Sequence, residues 1–408
     1  MTDSIRSGFS QIAKKSALYP EESPLKVRQK SQSLQIGIPR ETSFQENRVV
    51  LKPESVDVLV SNGHEVLLET GAGVSANYED REYSEAGARI VYDRQEIFQS
   101  NIILKVEPPT MDEVEMMKPG VTLVSAFQAG TQSVRFLNAL MQKKVTAIGY
   151  EYIEDKVGGL PLVRAMSEIA GSTVMMLAAE YLSKSKGGQG VILGGVTGVP
   201  PTKVVIIGAG TVAEFAARAA IGLGVDIQVF DNQVYKLRRL KHAIGHELHT
   251  STLDKATLEQ SLQGADVVIG AIRAEKGRNK MIITEEMVAR MKPGSVIIDV
   301  SIDQGGCVET ARATSLSNPT FKCYDVIHYC VPNMASLVPR TASIAISNIF
   351  TPMLLQAGEV GGIEDMIFLH SWFTKGVYMY KGSMTNLHIA RKFNLGYKDL
   401  SLLTAARF

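Results

Sequence analysis

The sequence predicts an α/β protein of two doubly wound parallel sheets, a Rossmann NAD-binding domain inserted into a Rossmann-like substrate domain. Three observations predict it. Short apolar runs alternate with helical patterns from Leu34 onward, as expected for parallel strands covered by helices. A second series of such runs begins at Lys203 and opens on a glycine-rich turn between strand and helix. Two long helical patterns, "RAMSEIAGSTVMMLAAEYLSKSKGG" and "RTASIAISNIFTPMLLQAGEVGG", bracket that series as connectors. The division read from this is an N-terminal extension 1–33, a substrate domain 34–163 with 341–408, and a nucleotide domain 164–340.

In the first series "LQIGIP" reads as a strand, and "PESVDVLVSNG" as a helix with Pro53 near its start and Gly63 at its stop. "HEVLLE", "ARIVY", "NIILKV", "VTLVSAF" and "VTAIGY" follow as strands, with the helical "TQSVRFLNALMQKK" before the last. In the second series "KVVIIG", "DIQVFD", "HELHTS", "DVVIGA", "SVIIDV" and "VIHYCV" are strands, and "TVAEFAARAAIGLG" is the first helix between them. The ends differ. In residues 1–33, Ile5, Phe9, Ile12 and Leu18 can line one face of a short helix, and the segment reads as a mobile arm or an intersubunit strap. Val377 to Phe408 mixes aromatic and polar residues and is expected to pack back on a domain.

Length and composition narrow the function classes. A chain of 408 residues accommodates two or three domains. With 45% hydrophobic and 21% charged residues it has an ordinary globular composition. Lys plus Arg total 43 against 42 Asp plus Glu, which leaves no basic footprint for nucleic acid or anionic lipid. The 3 cysteines form no CxxC or His-paired spacing, so neither a disulfide framework nor a metal site is expected and a reducing cytoplasm fits. No apolar run approaches the roughly 20 residues of a membrane span.

The chemistry-bearing motif is "KVVIIGAGTVAEFAARAA". Gly208, Gly210 and Ala213 have the G-x-G-x-x-G/A spacing directly between a strand and a helix. The first glycine permits the tight turn, the second leaves room for a pyrophosphate, and the alanine keeps the helix close to the sheet. Backbone N–H groups at the helix start then face the anionic ligand. Asp231 ends the next strand, where an acid can bind ribose hydroxyls. It favours NAD over NADP, because a 2′-phosphate beside it would meet a repulsion of about 4 kcal/mol per charge pair at 4 Å in a dielectric of about 20. Lys236, Arg238 and Arg239 lie further along as solvated helix charges, Lys236 being carried as a cofactor contact.

Taken together, "IGIPRETSFQENRVVLKPESV", "EVLLETGAG", "MSEIAG", "VVIIGAGTVA", "VIIDVSIDQGGCVE" and "HYCVPNMASLVPRTAS" resemble the alanine dehydrogenase family, which shares its fold with the transhydrogenase alpha subunit. The resemblance runs from about Leu34 to about Leu355. It implies reversible conversion of L-alanine, water and NAD into pyruvate, ammonium and NADH by a homo-hexamer. It also implies site roles. Arg48 in "ENRVVLKP" holds the substrate carboxylate, for which a guanidinium fork is suited. Asp303 in "SIDQGG" lies near substrate and nicotinamide ribose. Asn333 and Met334 in "VPNM" lie near the nicotinamide, and Ser167 in "MSEIAG" contacts the cofactor.

Two positions depart from the family pattern. Where the family has a "KVK" lysine pair, this chain reads "KVE", so Lys105 keeps the first position and Glu107 takes the second. On a strand, residues two apart share a face, so Glu107 is expected where the family's ammonium would be. The family's catalytic histidine aligns with Gln128 in "AFQAG". A lysine polarises the keto oxygen and a histidine moves protons. Gln128 can do only hydrogen bonding, and Glu107 brings negative charge. Lys105 or Lys52 swinging in would restore a cation. Alternatively, Glu107 beside Lys105 and Arg48 forms a paired network with a shifted pKa and becomes a general base.

Three functions follow. The first is an NAD-dependent oxidoreductase of the alanine dehydrogenase type acting on a small amino acid or 2-oxo acid. The second is a same-fold dehydrogenase for a larger or cationic amino acid. The third is an NAD(H)-binding protein without deaminase activity.

Overall fold

Fifteen strands are present among the described residues, 31–128, 132–273 and 281–405, of the computed structural model. In chain order they are β1 Gln35–Ile38, β2 Glu65–Glu69, β3 Arg89–Val91, β4 Ile102–Leu104, β5 Thr122–Ser125 and β6 Thr146–Gly149. Then come β7 Lys203–Ile207, β8 Asp226–Phe230, β9 His249–Ser251, β10 Val267–Gly270, β11 Val296–Asp299, β12 Thr320–Cys323 and β13 Val326–Tyr329. The last two are β14 Val377–Tyr380 and β15 Ser383–Met384. Nearly all of the arm read as an extension, 1–30, lies outside the described residues.

The strands form two sheets. The first has the order β15-β14-β6-β5-β4-β1-β2-β3 and the second β12-β13-β11-β10-β7-β8-β9. In each, the first strand of its series is flanked on one side by the second and on the other by the fourth. Gly37 thus pairs with both Leu67 and Ile103, and Ile206 with both Val229 and Ile269, all parallel. The chain reverses its winding at those points, so a crevice opens beyond the carboxyl ends of β1 and β4, and another beyond β7 and β10.

Central strands buried on both faces explain the unbroken apolar runs. Ile36, Leu68 and Leu104 are fully buried in one core, and Ile206, Val229 and Ile298 in another. Each such side chain contributes roughly 1.5–3 kcal/mol of burial. The sheets are not wholly parallel, which refines the sequence expectation. β14 pairs antiparallel with β6, and β12 antiparallel with β13. A short turn joins β12 to β13, so no helix is needed to carry the chain across, whereas β14 returns to β6 from far along the chain.

The two connector helices span Pro161–Leu182 and Pro339–Val360, each with proline in its first turn, where a missing N–H costs nothing. Pro161–Leu182 is long and apolar enough to cross a membrane by length and composition alone, which corrects the expectation that no apolar run approaches that length. Its buried side packs against the helix Thr211–Gly222. Gly171 permits this approach, since a Cβ there would lie 2.4 Å from the Val212 carbonyl oxygen.

Candidate active site

The glycine turn sits at the switch point of the second sheet. Gly208 follows β7 with φ +109°, and a Cβ there would lie 2.4 Å from the carbonyl oxygen of Ala271, just beyond β10. Gly210 is the N-cap of the helix Thr211–Gly222, and a Cβ on it would meet nothing within 4 Å. Its neighbour is therefore open space at a helix N-terminus, the place a diphosphate takes. Ala213 is fully buried against the sheet. These features fit a dinucleotide. Gly208→Ala is expected to weaken NADH binding at least about tenfold, because strain at positive φ of roughly 1–2 kcal/mol adds to the overlap with Ala271. Fluorescence titration with NADH measures it, and unchanged affinity would show that the turn does not shape the site.

Asp231, 7% exposed, directly follows β8 and bends back over the turn. Its Oδ2 accepts from the Ala209 N–H and its Oδ1 from the Gln233 N–H, both at 2.8 Å. Lys236 is half-buried on the helix Val234–Ile244. Arg239, read from sequence as a solvated charge, is exposed and also donates from Nη2 to the Ala209 carbonyl at 3.0 Å. Ser167 donates to Val163 O of its own helix at 2.8 Å. Met334 is buried in the core of the second sheet.

The second cluster gathers at the switch point of the first sheet. Arg48 lies in a loop zipped to the Asn333–Ser347 segment. Ser336 Oγ accepts from Asn47 N–H and donates to Gln45 O, Ser343 Oγ accepts from Val49 N–H, and Ser347 Oγ accepts from Lys52 N–H. Arg48 is 5% exposed and its fork is occupied. Nε donates to Glu46 Oε1 at 2.7 Å and Nη2 to Glu46 Oε2 at 2.5 Å. Nη2 is also 3.4 Å from Glu107 Oε1, and Nη1 is 3.4 Å from Met166 Sδ. Burial pushes the Glu46 carboxyl up, but its bonds with Arg48 outweigh that and hold it below the usual carboxylate value.

Glu107 accepts from Gln128 Nε2 at 2.5 Å through its other oxygen. Gln128 has φ +49°, and its turn is held by Glu151, which accepts from the Phe127 and Gln128 N–H groups at 2.8 and 2.9 Å. Burial first, and then the negative charge of Glu46, push the Glu107 carboxyl up to about 7 against the pull of Arg48. From beyond β13 of the second sheet, Asn333 in the left-handed conformation donates from Nδ2 to Glu46 Oε2 at 2.8 Å. Its own N–H donates to Asp303 Oδ1 at 3.2 Å. The structure therefore brings Arg48, Glu107, Gln128, Asn333 and Asp303 together. Beside the Glu46–Arg48 pair opens a cavity of about 340 Å³, lined also by Arg40, Glu41 and Thr42.

Lys105 is turned to other partners. Its side chain is 1% exposed, with Nζ 3.1 Å from both Glu41 and Glu113. Burial would lower its pKa, but the two carboxylates outweigh it and keep the ammonium charged. This corrects the expectation that Lys105 and Glu107 share a face, because regular β4 pairing ends at Leu104 and the alternation ends with it. Glu41 also accepts from Val106 N–H at 2.6 Å, so it pins the backbone between Lys105 and Glu107. Lys52 contributes its backbone N–H to Ser347 Oγ. Glu41, Glu46 and Glu151 carry no motif that marks them in sequence. Only their position around Glu107 does.

Comparison with known proteins adds to this geometry. Residues 37–170 match the family described as alanine dehydrogenase/PNT, N-terminal domain, and residues 174–387 match alanine dehydrogenase/PNT, C-terminal domain. The chain is 38% identical over 364 residues to an alanine dehydrogenase of Bacillus subtilis (strain 168), covering 89% of this chain and 95% of that protein. It is 38% identical over 368 residues to alanine dehydrogenase 2 of Staphylococcus aureus (strain USA300), covering 90% and 98%. A solved L-alanine dehydrogenase superposes with TM-score 0.83 at 36% identity over 88% of this chain and 99% of that one. A transhydrogenase from Sinorhizobium meliloti shares the fold, with TM-score 0.74 at 21% identity over 86% and 99% of the two chains.

Proposed function

The chain belongs to the alanine dehydrogenase/PNT family, and from that premise we propose how this member works and on what. It is an NAD-dependent dehydrogenase of the amino-acid type. Residues 34–163 with 341–408 form the substrate domain, and 164–340 the nucleotide domain. When bound, NAD(H) supplies or accepts the hydride at the α-carbon of a small amino acid or 2-oxo acid. Gly208, Gly210 and Ala213 shape its diphosphate site and Asp231 takes the ribose hydroxyls. Ser167 and Met334 flank the cofactor, as the family resemblance implies, and Lys236 beyond Asp231 is a further cofactor contact.

The observation that carries the mechanism is Glu107, held between Arg48 Nη2 and Gln128 Nε2. A proton-transfer group works best with a pKa near the working pH, and burial beside Glu46 gives Glu107 one of about 7. In this reading Glu107 does the proton work, and Gln128 holds its carboxyl in orientation. Arg48 Nη1 gives up its 3.4 Å contact with Met166 Sδ to take the substrate carboxylate. Asn333, bonded to Glu46 and Asp303, keeps the reacting centre registered against the nucleotide domain.

Charge then follows the direction of reaction. With Glu107 protonated, Glu46, Arg48 and Glu107 sum to zero and an anionic 2-oxo acid can enter. With Glu107 ionised they carry one net negative charge, which suits the ammonium of an amino acid. That same negative charge favours the second reading, a larger or cationic amino acid as substrate.

Purified protein incubated with NADH, ammonium and a panel of 2-oxo acids, followed by NADH absorbance, tests the proposal. Turnover with pyruvate supports alanine as the product, and turnover only with another acid supports the second reading. No turnover across the panel while NADH still binds would overturn dehydrogenation in favour of an NAD(H)-binding role. Glu107→Lys combined with Gln128→His is expected to raise pyruvate turnover if these positions set substrate choice. No gain would count against that role.

Assembly as a homo-hexamer in the cytoplasm completes the proposal. Val196 and Val199, paired across a tight turn, are more than half exposed, as are Ile192 and Met176. Exposed apolar residues of this kind suit a second copy of the chain. All 3 cysteines are free, which fits a reducing compartment.

A further inference from the structure

We propose that Glu151 is a positioning residue for proton transfer: its carboxylate fixes the turn that carries Gln128, and so sets the hydrogen bond by which Gln128 orients Glu107. The inference deepens the proposed role of Glu107 and rests on that role for its effect on turnover.

Glu107 and Gln128 both stand on chain that has left the sheet. The last regular pairs are Leu104 with Val124 between β4 and β5, and Ser125 with Gly149 between β5 and β6. Ala126 N–H still reaches the Val106 carbonyl at 3.1 Å. The N–H groups of Phe127 and Gln128 lie beyond it, and a buried N–H left unpaired is costly. Glu151 supplies their acceptor from the short turn Tyr150–Tyr152 that follows β6. Its Oε1 accepts from Phe127 N–H at 2.8 Å and from Gln128 N–H at 2.9 Å, and its Oε2 from Phe127 N–H at 3.1 Å. Gln128, at φ +49°, then donates from Nε2 to Glu107 Oε2 at 2.5 Å.

The same turn holds the other segment. Tyr150 donates from its hydroxyl to the Val106 carbonyl at 2.7 Å, while Val106 N–H donates to Glu41. Two consecutive residues therefore grip the residue before Glu107 and the residue that bonds Glu107. Gly149 leaves room for this, since a Cβ there would lie 3.2 Å from Glu151 Oε2 and 3.0 Å from Tyr152 Cδ2. Glu107 also faces Glu46, Arg48, Glu41 and Tyr150. Glu151 is hydrogen-bonded to none of these, so its influence on Glu107 runs through Gln128.

Infrared titration of the carboxyl stretch, with Glu107→Gln as the blank that isolates Glu107, reads its protonation whether or not the enzyme turns over. Two variants separate reach from charge. Glu151→Asp keeps the charge but draws the carboxylate back by one carbon. Glu151→Gln loses the charge but keeps an oxygen within reach of both N–H groups. The bond from Gln128 favours the ionised form of Glu107. Glu151→Asp is therefore expected to move the Glu107 midpoint upward from about pH 7, by about half a pH unit or more. With NADH, ammonium and pyruvate it should lower kcat about tenfold and change KM less than about threefold. Glu151→Gln should stay close to the wild type in both. An unmoved midpoint in Glu151→Asp overturns the proposal, because Glu151 then only stabilises the fold. An equal shift in both variants also overturns it, because charge rather than reach is then the cause. A moved midpoint with unchanged turnover would leave the positioning of Gln128 standing and overturn the proton work of Glu107 instead.

Discussion

Glu107→Gln is expected to lower turnover about 10²- to 10⁴-fold, the range that general acid–base groups contribute. The substitution keeps the shape and the hydrogen bonds to Gln128 Nε2 and Arg48 Nη2 within reach, but it removes the titrating proton. The pH profile distinguishes this loss from a structural one. In the oxidative direction the wild-type rate should climb as pH rises through about 7, where Glu107 becomes the base. In the reductive direction it should decline across the same range. Both inflections should vanish in the variant. A variant that keeps its rate and its inflection near pH 7 would show that another group moves the proton.

Stability carries the same signature. The folded-state pKa of Glu107 lies above the ordinary carboxylate value because of burial and Glu46. Between about pH 4.5 and 7 the unfolded chain has therefore released this proton while the folded protein still holds it. Folding stability thus falls as pH rises through that window, and Glu107→Gln should flatten the slope. Urea midpoints at pH 5 and 7 measure the difference.

Lys105→Met is expected to destabilise the fold by about 3–5 kcal/mol, the cost of leaving a buried charge without its partner. The ammonium of Lys105 lies 3.1 Å from both Glu41 and Glu113. Glu113 also pairs with Arg94 and closes the capping box of the helix Met111–Met116 with Thr110. Without Lys105, Glu41 must remain charged in a buried site or take up a proton. Glu41 also holds the Val106 N–H beside Glu107, so the active-site backbone should loosen too. Adding Glu41→Gln should recover part of the stability by removing the orphaned charge. Denaturant unfolding reads both effects. Intact stability with lost turnover would instead make Lys105 a chemical participant.

Much of the fold was legible because it depends on local pattern. Unbroken apolar runs such as "KVVII" and "DVVIG" mark strands buried on both faces. The turn after β7 was legible because Gly208, at φ +109°, stands where any side chain would meet Ala271. The antiparallel edges were not legible. β14 pairs with β6 across more than two hundred residues, and nothing near Val377 encodes the partner it finds. The hydrogen bond of Arg239 was hidden for a related reason. Its pattern is that of a solvated helix position, and only the packing of that helix against the glycine turn brings it to Ala209.

Sequence by itself determined the winding of both sheets, the position of the glycine turn and the placing of Glu107 and Gln128 just beyond two strands of the first sheet. Each depends on backbone conformation or residue type within a few neighbours along the chain. Only the tertiary structure decided which charges face one another. It joined Glu46 and Arg48 to Glu107 and drew Lys105 away to Glu41 and Glu113. Electrostatic energy follows distance in space and the water left between groups, and neither is written in the spacing of residues along a chain.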